Sequence, residues 1–261
     1  MNLFIDAMNW ILDPANWVPG SRTPLPLQDR IAEHLFYTFV AVGIAALIAL
    51  PVGFYIGHTG RGRQFVIGFT GAMRALPTLG VLFFLTMVLG SAVRGTFGVF
   101  LGTMIALIIL AIPSILAGAY AGLESVSRQT IDAARASGMT EMQILARVEI
   151  PLALPLIIGG LRSGVLQVIA TAVIASYAGL AGLGRVISSG IGLNDYDRIL
   201  GGAILVTVLA LVVDGVFALI QRLTRVPGTG TVAGSAGAPL RRRAKQPATV
   251  ETPLRERNFT A

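Results

Sequence analysis

Five apolar runs dominate this chain, at roughly 35–58, 64–90, 97–122, 153–178 and 199–222. Each reaches the length of about 20 residues that crosses a hydrocarbon core of about 30 Å. Lipid offers no water to backbone N–H and C=O groups, so such runs have to be helices. The expected fold class is an all-α membrane protein with about five transmembrane helices. Composition points the same way: 54% of the residues are hydrophobic, only 13% are charged, and the mean hydropathy is +0.75. A soluble domain carries about a quarter charged residues.

Several kinds of chemistry are excluded by residue type. Lys245 is the only lysine and is followed by Gln246. A phosphate-binding Walker loop needs Gly-Lys-Ser/Thr, so the chain cannot hold ATP in that way. With His34 and His58 as the only histidines and no cysteine, neither a zinc site nor a disulfide is expected. Nothing resembles a nucleophile elbow or a pair of catalytic carboxylates. The expectation is a chain without catalytic residues, metal or cofactor of its own.

Orientation follows from the placement of arginine. Arg61 and Arg63 fall between the first and second runs, and Arg128, Arg135 and Arg147 between the third and fourth. Arg222, Arg225, Arg241, Arg242, Arg243, Lys245, Arg255 and Arg257 follow the last run. With five spans these segments share one face, predicting an N-terminus outside and a C-terminus in the cytoplasm. The opposite face takes the Arg94 loop and the 179–198 segment, where Asp195 and Asp197 offset Arg185 and Arg198. Beside membrane spans, the basic tail marks the cytoplasmic side and meets anionic lipid, not nucleic acid.

The ends divide by composition. Residues 1–34 lack the basic start and cleavage site of a signal peptide. Asn2, Asp6, Asn9 and Asp13 recur at helical spacing opposite Leu3, Ala7, Met8, Ile11 and Leu12, predicting a short extracytoplasmic amphipathic helix. Trp10 and Trp17 suit the headgroup region; the alternative is a helix packed on the bundle. Pro14, Pro19, Pro24 and Pro26 keep the next stretch of chain extended. Residues 35–222 form the transmembrane domain. Residues 223–261, rich in Gly, Ser, Ala and Arg, read as a disordered basic cytoplasmic tail.

Between the third and fourth runs lies a polar, helix-prone segment, 124–151. Ala133, Ala134 and Ala136 on a short helix let another surface approach the backbone closely. Gly138 is placed to cap that helix. Thr140 followed by Gln143 has the spacing of a capping box that opens a second helix. Pro151 is expected to end that helix and Pro155 to begin the next span. The product is a helix-turn-helix knob joined to the membrane; an ordinary interhelical loop is the plainer reading.

The order of residues in that knob resembles the coupling motif of ATP-binding-cassette importer permeases. Its pattern is Glu-Ala-Ala, three residues, Gly, nine residues, Ile, any residue, Leu-Pro. Here Asp132, Ala133, Ala134, Gly138, Val148, Ile150 and Pro151 fall at those positions. Asp for Glu, Val for Ile and Ile for Leu keep charge or shape. The likeness covers roughly residues 30–222. Gly159 to Gly164, Ala178 to Gly184 and Gly201 to Ile204 look like the osmoprotectant branch, which moves glycine betaine, choline, carnitine or proline betaine, and Arg74 to Gly80 is similar to its Ile-Pro-Ser/Thr-Leu-Ala segment. The Gly-rich 178–184 stretch is shared with methionine and other amino-acid permeases.

That resemblance implies a type I importer permease in a bacterial cytoplasmic membrane. It implies partner ATPase subunits carrying ATP and Mg, a second permease subunit, identical or homologous, and an extracytoplasmic substrate-binding protein. An amino-acid importer such as one for methionine is the alternative. An ion-driven carrier or channel would need intramembrane titratable relays, and only Asp214 is available.

Three charges fall inside the runs, away from their ends: Arg74, Arg162 and Asp214. Charges in lipid face the bundle interior or water. At a rise of 1.5 Å per residue, Arg162 and Asp214 sit at similar depths, roughly 10 and 12 Å from the same face. An Arg162–Asp214 ion pair is predicted, against separate snorkelling to the interface. Gly53/Gly57, Gly98/Gly102, Gly118/Gly122 and Gly160/Gly164 give small ridges for close helix contact, within the subunit or across a dimer. Pro51, Pro77 and Pro113 are expected to kink their spans. The candidate substrate pathway comprises Arg74, Pro77, Thr78 and Tyr177, because a carbonyl freed at Pro77 tolerates only protein or a wet cavity. Aromatic faces hold quaternary ammonium groups best, and Tyr177, Tyr120 and Phe84 are the rings considered near that path.

Overall fold

Uninterrupted apolar sequence becomes long helix. The computed structural model describes residues 2–19, 25–93 and 95–224, and among them every regular element is helical. Helix α1 is Leu3–Leu12, α2 Leu27–Thr59, α3 Arg63–Ala75, α4 Thr78–Ala92 and α5 Thr96–Glu124. Then come α6 Arg128–Ala136, α7 Glu141–Ile144, α8 Ile150–Ala175, α9 Leu183–Leu193 and α10 Tyr196–Leu223. Helices α2, α5, α8 with its preceding turns, and α10 are each long and apolar enough to cross a bilayer.

The second apolar run is not one straight span. It breaks into α3 and α4, which are bent by 85°. Pro77 supplies the cause: its ring disfavours helical geometry in the residue before it, and Leu76 is accordingly extended, with φ −66° and ψ 134°. Counted together, the pair brings the number of spans to five. Pro51 and Pro113, by contrast, lie inside continuous helices.

Helix α5 forms the centre, packed against α2, α4 and α8. Small residues permit this. A Cβ on Gly118 would lie 2.5 Å from the Cα of Gly160, so α5 and α8 touch backbone to backbone. Gly53 and Gly57 face Ala119 and Leu123 across the α2–α5 contact, and Gly98 and Gly102 face the α4 backbone. All four glycine ridges therefore serve contacts inside this subunit. Around them Ala41, Ala45, Leu107, Ile115, Val168 and Ala172 are buried in one cluster. Large apolar side chains also point outward on α10, including Leu211, Val212 and Leu219, a surface suited to hydrocarbon or a protein partner.

At the other end of the bundle, α1 packs on α10. A Cβ on Gly201 would meet the Trp10 ring at 2.6 Å, and Trp17 Nε1 donates to the Ile11 carbonyl at 2.7 Å. Both indoles are thus engaged within the protein, and α1 packs on the bundle. Nearby, Gly182 (φ 82°) donates its N–H to Glu33 at 3.0 Å, while His34 Nε2 donates to the Ile169 carbonyl at 3.1 Å. The first bond fastens the Gly-rich 178–184 stretch to α2, and the second ties α2 to α8. The Arg94 position, Pro24 and residues 225–261, which include nearly all of the basic tail, lie outside the described residues.

Candidate coupling site

The segment between α5 and α8 is built by local hydrogen bonding. Ser127 opens α6 by accepting from the Thr130 N–H, and no residue of α6 is buried. The helix ends where Gly138, at φ 81°, donates to the Arg135 carbonyl. Met139 N–H then reaches back to the Ala134 carbonyl, closing the helix in the manner a left-handed residue permits. Thr140 and Gln143 form a reciprocal capping box at the start of α7. Asp132, Ala133 and Gly138 are exposed, and Ala134 is half-buried.

Pro151 does not end the second helix. Instead Leu145–Glu149 widens into a π-turn, in which the Ile150 N–H donates to the Leu145 carbonyl. Pro151 then occupies the first turn of α8, where a missing N–H costs nothing. Pro155 lies within the same helix, its carbonyl accepting from Gln221 Nε2 of α10 at 2.7 Å. The knob thus runs without interruption into a spanning helix. Val148, Ile150 and Pro151 are half-buried at that junction.

Charged groups tie the knob together. Arg135 donates from Nε and Nη2 to Glu141 at 2.7 and 3.0 Å, and from Nη1 to Asp132 at 3.3 Å. Hydrogen bonding to Glu141 raises the Arg135 pKa, so the guanidinium stays charged. His58, in the last turn of α2, places Nδ1 2.6 Å from Glu149 and Nε2 3.4 Å from Glu141. Arg63 pairs with Glu124 at 3.0 Å. A recess of about 350 Å³, lined by His58, Arg63, Glu124, Arg128, Asp132 and Glu149 among others, lies between α6 and the ends of α2 and α5.

Within the spans, Arg162 on α8 and Asp214 on α10 meet through two parallel hydrogen bonds, Nε to Oδ1 at 2.5 Å and Nη2 to Oδ2 at 2.6 Å. Helical register brings them level, and the fork of the guanidinium matches the carboxylate. The candidate pathway residues are not joined in this way. Arg74, Pro77 and Tyr177 are exposed and Thr78 is half-buried. Among the described residues no hydrogen bond or ion pair ties them to one another.

Residues 49–226 match the family described as binding-protein-dependent transport system inner membrane component, about two thirds of the chain. The chain belongs to this family. Among curated members, the carnitine transport permease protein OpuCB of Listeria monocytogenes is 40% identical over 182 residues, 70% of this chain and 80% of that protein. The glycine betaine/carnitine/choline transport system permease protein OpuCB of Bacillus subtilis is 33% identical over 196 residues, 75% of this chain and 87% of that one. The osmoprotectant import permease protein OsmW of Salmonella typhimurium is 31% identical over 210 residues, covering 80% and 93%. An inward-facing structure of the MetNI methionine ABC transporter shares the fold, with a TM-score of 0.67 and 22% identity, over 77% of this chain and 96% of that one.

As a member of this family with several spanning helices, this permease is a multi-pass membrane protein whose family works with separate ATPase and substrate-binding partners. Sequence patterns did not point to His58 and Glu149. The signal was present: a histidine at the end of an apolar run, and an acid in the unspecified position of the motif's last four residues.

Proposed function

We propose that this chain is the membrane-spanning subunit of an ATP-driven importer for compatible solutes such as glycine betaine, choline, carnitine or proline. Two such subunits, identical or homologous, enclose the pathway at their interface. The N-terminus lies outside and the 124–151 knob in the bacterial cytoplasm. Two ATPase subunits, which hold the ATP and Mg, grip the knob at Asp132, Ala133, Ala134 and Gly138. Closure on ATP pushes the knob, and the π-turn passes the motion into α8. A separate binding protein delivers solute from outside.

The observation that carries the coupling role is an exposed, doubly capped helix pair continuous with a spanning helix. An exposed α6 with small side chains suits an external groove, and continuity with α8 suits transmission of force. The substrate class is supported by the curated relatives, whose names specify carnitine, choline, glycine betaine or osmoprotectants. The likeness to a methionine transporter is one of fold, so methionine is the competing substrate to be tested.

Reconstitution in liposomes with the cognate ATPase and binding protein tests the proposal. ATP-dependent accumulation of labelled glycine betaine, choline, carnitine or proline is expected. Accumulation of methionine alone, or uptake that ignores ATP and follows an ion gradient, contradicts it.

A further inference from the structure

The end of α2 is bonded to the knob at a single histidine. His58 stands between two carboxylates that belong to different parts of the 124–151 segment. Its Nδ1 faces Glu149 at 2.6 Å, and its Nε2 faces Glu141 at 3.4 Å. Glu149 is 2% exposed, whereas the Glu141 side chain is 56% exposed and also bonded to Arg135. A carboxylate buried that deeply needs a partner, and His58 supplies it.

The π-turn explains why the acid reaches the histidine. One extra residue in a turn rotates the preceding chain by about 100° relative to the next helix. Glu149 closes that turn, so its direction is set by the widened geometry at the base of α8. Gly60, left-handed at φ 70°, stops α2 just beyond His58, with its N–H bonded to the Ile56 carbonyl. The histidine is therefore held at a helix end, and the acid at a helix start.

We infer that His58 is a positioning residue, a clasp that fixes the knob to the end of α2 so that motion of the knob moves α2 together with the spans the knob joins. This inference rests on the importer function proposed for the chain. The short contact to Glu149 is a hydrogen bond, and Glu141 stands within ion-pair distance on the other side of the ring. The other charged groups at this recess are already engaged or lie at its edge: Arg63 pairs with Glu124, Arg135 with Asp132 and Glu141, and Arg128 lines the wall. Without the clasp, α6 and α7 would still dock an ATPase, but their displacement would have no bonded link to α2.

The test uses the whole reconstituted complex, with ATP hydrolysis and labelled glycine betaine uptake measured on the same liposomes. In His58→Gln and Glu149→Gln the uptake per ATP hydrolysed is expected to fall about tenfold, the scale of a lost hydrogen bond to a charged group. Hydrolysis itself should stay within about twofold of the parent. His58→Arg, whose guanidinium carries donors that can face both acids, should restore most of the ratio. Glu141→Gln changes a side chain that is 56% exposed, and should lower the ratio about twofold even if the buried variants fail to insert. An unchanged ratio in His58→Gln, in Glu149→Gln or in Glu141→Gln overturns the clasp, as does failure of His58→Arg to restore it. If the parent complex imports nothing, the importer reading falls as well; if the parent imports and the variants match it, only the clasp falls.

Discussion

The guanidinium of Arg162 and the carboxylate of Asp214 join α8 to α10 through two hydrogen bonds of 2.5 and 2.6 Å. Removing one partner leaves the other charge uncompensated in lipid, which is the costly half of any such pair. Asp214→Asn should therefore reduce the folded protein recovered from membranes roughly severalfold. The exchange Arg162→Asp with Asp214→Arg should recover part of that loss. Yield of monodisperse protein in detergent is the readout, and equal damage in the exchange would count against the pairing.

Gly118 and Gly160 allow α5 and α8 to touch. Valine at Gly118 would gain a few tenths of a kcal/mol in helix propensity, since glycine costs ~1 and valine ~0.6 relative to alanine. Its side chain would meet the Cα of Gly160 at 2.5 Å, with no flexible group to give way. Overpacking of that kind costs about 1–3 kcal/mol and wins. The thermal midpoint in detergent should drop by about 2–4 °C per kcal/mol. Gly43→Ala, with open space around the added methyl, should leave the midpoint unchanged or raise it.

Thr140 caps α7 from both sides of the bond, its hydroxyl accepting from Gln143 N–H and its own N–H donating to the Gln143 side chain. Thr140→Ala should destabilise that turn by about 0.5–2 kcal/mol. Amide exchange at 141–144 should accelerate, while Thr140→Ser should behave like the parent. Unchanged exchange in the alanine variant would mean that the cap contributes nothing.

Gly138 turns the chain between α6 and α7 with φ at 81°. A β-branched residue there is strained by roughly 1–2 kcal/mol, and α6 would be re-aimed rather than lost. Gly138→Val, and a bulky residue at Ala134, should leave the protein inserted and ATP hydrolysis running. Uptake should fall by about tenfold to a hundredfold, the scale that misplacement of a coupling group reaches. Normal uptake in both variants would contradict the role of the knob.

Much of this architecture is legible in the sequence because its determinants are local. Hydropathy locates the spans, since lipid imposes one length and one backbone solution. The Thr140–Gln143 spacing and Gly138 mark the helix junction because caps need particular side chains. Register alone pairs Arg162 with Asp214. Other features depend on distant partners. Pro77 reads as a kink, and only the structure gives its extent, an 85° break into the separate helices α3 and α4. Pro151 reads as a helix end; the π-turn before it places the ring in a first turn instead. The His58–Glu149 contact joins residues 91 positions apart, and no spacing rule reaches that far.

The chain has no cysteine, so a single thiol at Ala134→Cys is unique within it. A short thiol-reactive crosslinker applied to inverted vesicles holding the full complex is expected to join that residue to the ATPase subunit. If Ala134→Cys gives no such adduct, and a cysteine at Asn194 in the loop before α10 gives one instead, the ATPase sits on the opposite face and the account is wrong.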